Sequence, residues 1–131
     1  MTTETLLKNH PNASSSNAAF AACIDACLEC VTACTVCADA CIQENAGMSM
    51  ANCIRTDLDC ADICAATARV VARQSGESQD ALRAMLTACS KSCEACEQEC
   101  RTHSDKHDHC RDCAEACKRC KDACDKALSS L

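Results

Sequence analysis

From about residue 17 to residue 129 the apolar positions return in alternating steps of four and three, with charged and amide residues between them. That spacing draws one stripe along an α-helix and nothing coherent along a strand, so the chain is expected to be all-α. The rhythm breaks three times, which predicts four helices over about 17–45, 49–74, 78–103 and 106–129. The Ser and Asn residues up to Asn17 offer N-caps to the first helix and Ser78 to the third, while Gly47 and the Ser75, Gly76 pair mark ends. Residues 1–17 read as a leader, with a turn or two of helix around Thr5 to Asn9 that Pro11 stops and with Leu6 and Leu7 placed to pack on the rest. Connections of a few residues make successive helices antiparallel neighbours, so residues 18–131 are expected to form an up-down four-helix bundle.

The stripe is made of thiols. It runs through Cys23, Cys27, Cys30, Cys34, Cys37 and Cys41, then Cys53, Cys60 and Cys64, then Cys89, Cys93, Cys96 and Cys100, and finally Cys110, Cys113, Cys117, Cys120 and Cys124. Usual core material is scarce, with one Phe and neither Tyr nor Trp, so the interior must be mostly sulfur and methyl groups. Two Gly and one Pro in 131 residues agree with helices throughout. In the second helix the seam position between Cys53 and Cys60 is Asp57. A carboxyl facing sulfur must ligate, hydrogen-bond or reach water, and the open end of the bundle is where it is expected.

A net charge of −6 without a basic stripe gives no reason to expect nucleic acid. The first 22 residues hold a single cation, Lys8, and no continuous apolar run, so no export signal is read there. No segment is expected to span a membrane either, since none approaches the roughly 20 apolar residues that a bilayer requires. The expected location is the cytoplasm, where thiols stay reduced.

Side chains three or four apart on a helix hold their Cβ atoms about 5–6 Å apart, whereas a disulfide wants about 3.5–4.5 Å. Neighbours on one seam therefore cannot form cystines without breaking the helix. Thiolate is a soft ligand that selects Cu(I), zinc or iron–sulfur clusters. Closed zinc sites and iron–sulfur clusters draw their cysteines from knuckles and loops with other spacings. Cu(I) needs two or three sulfurs, which each C-x-x-x-C step supplies, and bridging thiolates imply a capacity on the order of one Cu(I) per cysteine. Cysteine as a mere small hydrophobe would explain one or two positions, not 18 in phase.

Antiparallel order brings the first and third loops to one pole, with Met48, Met50, His103, His107 and His109. His103 and His107 continue the third seam from Cys100 by steps of three and four, so they are the expected ligands there; His109, off that register, and His10, in the leader, are set aside. Together with Asp57 and the outermost cysteines they would make a metal entrance. The other pole collects Phe20, Val70, Val71, Leu82, Met85, Leu86 and Leu128 as an apolar plug. Two other functions use the same residues. A thiol redox protein would centre on Cys110, between His109 and Arg111, and a general zinc, cadmium or silver buffer would share the thiolates.

Over residues 18–128 these C-x-x-x-C-x-x-C runs resemble the cysteine-lined four-helix-bundle copper storage proteins, in the branch without an export signal. The resemblance implies a non-catalytic cytosolic store, many Cu(I) ions inside the bundle, a His- and Met-bearing mouth and assembly into homotetramers. Partners would then be copper donor or acceptor proteins. Ile24, Leu28, Val31 and Ile42, followed by Ile54, Leu58 and Ala61, draw a second apolar stripe on the first two helices, where the last two carry Glu94, Glu97, Arg101, Arg111, Lys118 and Lys121. The first pair of helices is thus expected to face another subunit.

Overall fold

The computed structural model describes residues 1–44, 47–74 and 79–131, all of them helical, turn or irregular, without a strand. Helix α1 is Thr3–Lys8, α2 is Asn17–Gln43, α3 is Ala51–Ala72, α4 is Gln79–Arg101 and α5 is Asp108–Ser129. A 3-10 turn, Gly47–Met50, leads into α3. Around the bundle α2 packs on α3, α3 on α4, α4 on α5 and α5 back on α2, as an up-down order demands. The helices are long because nothing in them interrupts the backbone ladder: neither Gly nor Pro occurs in α2 to α5.

Helix ends account for the differences from the sequence reading. Ser16 sits at the N-cap of α2 but makes no capping bond; its hydroxyl donates instead to the Ser130 carbonyl at 3.1 Å, tying the two chain ends together. Helix α3 starts at Ala51, not at 49, because the 3-10 turn takes up the preceding residues. Helix α4 stops at Arg101, since Thr102, His103 and Ser104 turn back onto the carbonyls of Glu99, Cys100 and Arg101. Asn45, the Ser75, Gly76 pair and the Ser78 cap lie outside the described residues.

The leader packs as expected, by Leu7, which is buried, while Leu6 stays exposed. Thr2 caps α1 by accepting from the Thr5 amide at 3.1 Å, and Thr3 donates to Asp25 of α2 at 2.6 Å. At this pole Leu7, Phe20, Ala21, Ala68, Val71, Leu86 and Ala127 are buried and form one cluster, with Leu82 and Leu128 packed against it. Val70 and Met85 are only half-buried, so the plug is smaller than the sequence suggests. Leu86 is among the largest fully buried side chains. Replacing it with alanine is expected to lower stability by about 2–5 kcal/mol in urea unfolding of the reduced protein.

One expectation is corrected on α2, which is long and apolar enough, by length and composition, to cross a membrane. Its six cysteines, Phe20, Ala21, Ile24 and Ala38 are turned into the bundle. Between them Asp25, Glu29, Thr32, Thr35 and Asp39 are exposed.

Candidate metal centre

All 18 cysteines are free and all are buried. Four helices at bundle spacing bring their seams into one column of sulfur. Near the plug Cys23 and Cys124 lie 3.7 Å apart. Next, Cys27, Cys89, Cys120 and Cys124 form a group, followed by Cys30, Cys64, Cys93 and Cys120, then Cys30, Cys34, Cys60 and Cys117, then Cys34, Cys96, Cys113 and Cys117. Within each group the ligand atoms all lie within 4.8 Å of one another.

The groups share members, so the column is continuous. Cys34 is 3.7 Å from Cys30, 3.6 Å from Cys113, 3.8 Å from Cys117 and 3.9 Å from Cys96. Cys64 is 3.8 Å from Cys60, 3.7 Å from Cys89 and Cys93 and 3.9 Å from Cys120. An ion at the centre of a sulfur triangle, with bonds of about 2.3 Å as thiolates make to zinc, needs edges of about 4 Å. The column therefore presents trigonal soft sites nearly ready-made. Contact within one helix occurs too, at 3.7 Å between Cys30 and Cys34 and 4.0 Å between Cys96 and Cys100.

Asp57 is fully buried inside this column and not at a wet rim, which corrects its expected place. Its Oδ1 accepts from the thiols of Cys96 at 3.1 Å, Cys113 at 3.3 Å and Cys100 at 3.5 Å, and its Oδ2 from Cys53 at 3.9 Å. Burial first, then the neighbouring sulfurs Cys96 and Cys37, push the carboxyl up to about 10. Four thiols satisfy it, so it costs far less than an unpaired acid would. Its position lets an oxygen join the soft donors at one level of the column.

At the pole opposite the plug, Cys37, Cys41, Cys110 and His109 form another group. His109, set aside by the sequence reading, is the histidine that meets sulfur: its Nδ1 lies 3.3 Å from Cys37 and 3.6 Å from Cys110. His103 instead pairs with Glu99 at 3.3 Å, and His107 with Glu44 at 2.7 Å. Both were placed by extending α4, which ends at Arg101. Counting back four from Cys113 on α5 would have found His109, since that step and the three-residue step to Cys110 mark one face. Met50 is buried in the core cluster, and the Met48 side chain lies outside the described residues.

Burial pushes the Cys41 thiol up to about 11 and also raises Cys110. Cys37 goes the other way, held below the ordinary thiol range by hydrogen bonds from Cys100, Cys113 and Cys53 and by His109. For His109 itself burial favours the neutral ring, but hydrogen bonds to Cys37 and Glu44 outweigh it and raise the ring.

A helical bundle whose interior is a column of free thiols, with a carboxyl and an imidazole in contact with them, defines a protein that takes in many soft metal ions. The copper storage protein family profile matches residues 16–129, and the chain belongs to that family. Among solved structures it is similar to the copper storage protein Ccsp of Streptomyces lividans loaded with 10 copper equivalents, at 46% identity, covering 99% of this chain and 100% of that one, TM-score 0.95. A second structure from the same organism, described as a cytosolic copper storage protein carrying five coppers, is 49% identical over 88% of this chain and 97% of that one, TM-score 0.86. Cu(I)-bound BsCsp3, a copper storage protein, is 37% identical over 82% of this chain and 95% of that one, TM-score 0.73. The resemblance seen in the sequence is thereby confirmed, as are the all-α bundle and the storage function.

Proposed function

We propose that this copper storage protein fills its sulfur column with on the order of one Cu(I) per cysteine. The observation that carries this is the set of free thiols, which meet across the bundle axis at 3.6–3.9 Å. Each ion displaces a thiol proton, so the accumulated thiolate charge is balanced as it forms. All 18 cysteines serve as ligands, Asp57 supplies an oxygen midway and His109 a nitrogen at the mouth. Met50, His103 and His107 flank that mouth, and the two histidines guide ions to it. The working compartment is the cytosol, by analogy with the relative described as cytosolic. No residue is assigned a catalytic role, and the raised thiol of Cys110 argues against its use as a redox nucleophile.

Anaerobic titration of the reduced protein with Cu(I), against a competing chelator, tests the capacity. Uptake is expected to continue well past ten ions, a level set beside the relative loaded with 10 copper equivalents, and saturation at one or two ions would overturn the proposal. Matching titrations with zinc and cadmium separate a copper store from a general soft-metal buffer.

The chain is further proposed to assemble as a homotetramer through α2 and α3. Leu28, Val36, Ile42 and Leu58 are exposed on these two helices, which pack side by side. Ile24 and Ala61, expected on the same stripe, are buried instead. The outer faces of α4 and α5 carry ion pairs such as Arg101 with Glu97, Lys118 with Asp122 and Lys121 with Asp125. Charging the apolar face with Leu28→Glu and Leu58→Glu together is expected to shift the mass measured by light scattering from tetramer to monomer, with helix content retained.

A further inference from the structure

We propose that Glu44 is a positioning residue that fixes the tautomer and orientation of His109, an inference that rests on the reading of His109 as the nitrogen ligand at the mouth. Glu44 is the C-cap residue of α2, three positions beyond Cys41. Its two carboxylate oxygens hold one histidine each: Oε1 takes Nε2 of His109 and Oε2 takes Nδ1 of His107 at 2.7 Å. With both oxygens engaged the carboxylate has one preferred plane.

A neutral imidazole carries one N–H and one lone pair. A carboxylate only accepts, so Nε2 carries an N–H in the cationic and the neutral ring alike, and Nδ1, 3.3 Å from Cys37 and 3.6 Å from Cys110, is the nitrogen that gives up its proton and leaves a lone pair facing them. The opposite tautomer would aim an N–H at those sulfurs and close the site to a cation. Carboxylate–histidine pairs of this kind govern how a metal-binding imidazole is presented, and losing the carboxylate costs about 10–100-fold in metal affinity or activity. His107 contributes by bracing the carboxylate, and its own ring lies 5.3 Å from that of His109. As His107 is also the N-cap residue of α5, Glu44 pins the end of α2, which carries Cys37 and Cys41, to the start of α5, which carries Cys110.

The test uses the full reduced chain with 15N-labelled histidine. In the absence of metal, at a pH where the ring is neutral, two-bond 1H–15N spectra are expected to show His109 protonated at Nε2 and bare at Nδ1. Glu44→Ala is expected to populate both tautomers, and Glu44→Gln, which keeps an acceptor at the same reach, to restore most of the bias. Uptake of Cu(I) from a chelator complex, followed by stopped flow, is expected to slow by about 10–100-fold in Glu44→Ala. The double variant with His109→Ala should be no slower than His109→Ala alone. A wild-type tautomer in Glu44→Ala, or a double variant slowed by the product of the two single effects, would overturn the inference. Wild-type uptake by His109→Ala would instead remove the mouth-ligand reading and leave the tautomer measurement to decide the role of Glu44.

Discussion

Replacing Cys34 and Cys64 together with alanine is expected to lower Cu(I) capacity by about four ions, not two, if each thiolate bridges two metals. Both sulfurs sit where several groups meet: Cys34 touches Cys30, Cys96, Cys113 and Cys117, and Cys64 touches Cys60, Cys89, Cys93 and Cys120. Each deletion opens two coordination spheres at once and leaves the remaining sulfurs without a third corner. Cys23 is the contrasting case, at the end of the column beside Cys124, and its loss should remove about one ion. Truncating a thiol to a methyl group sacrifices little apolar burial, about 1 kcal/mol, so both variants should fold. Anaerobic titration reads the difference directly, and equal losses per cysteine at the centre and the end would mean that the ions sit in separate sites.

The second large effect is expected from Asp57→Asn in the metal-free protein. Folding holds this carboxyl protonated, with its pKa pushed up to about 10 from 3.8. Between those values the unfolded chain ionises Asp57 while the folded chain does not, so folding takes up a proton and stability falls as pH rises. At 1.36 kcal/mol per unit the cost near pH 7 is about 4 kcal/mol. Asparagine keeps the shape without the charge, and its amide hydrogens, facing sulfur, cancel part of the gain. The variant is therefore expected to be about 1–3 kcal/mol more stable at pH 7, with an advantage that rises with pH between 5 and 8 and turns into a deficit near pH 4, where the protonated carboxyl costs nothing. Urea unfolding across that range checks it; parallel pH profiles for the two proteins would show that Asp57 is ionised in the fold.

Much of this was legible in the sequence because helix geometry leaves little choice. Steps of three and four fix the face on which the cysteines lie, and short connections fix which helices are neighbours, so the thiol column followed from spacing alone. The pairing of sulfurs across the axis did not, since it depends on how far each helix slides along its neighbour. His109 escaped because helix α4 was extended past Arg101, where the turn through residues 102–106 resets the register. Asp57 was recognised as facing sulfur, yet thiols turn out to satisfy it without water. Ile24 and Ala61 show the same limit, because a second apolar stripe does not reveal which of its residues a neighbouring helix will cover.

The hydrocarbon seal formed by Phe20, Val71 and Leu86 has a consequence for turnover. With one end stoppered, the proposed mouth beside His109 would be the single doorway, and ions admitted first would be the last to leave. Two populations of cargo would then be expected: a quickly traded reserve near His109, and an older deposit beside Cys23 and Cys124 that is released only when the column above it has drained.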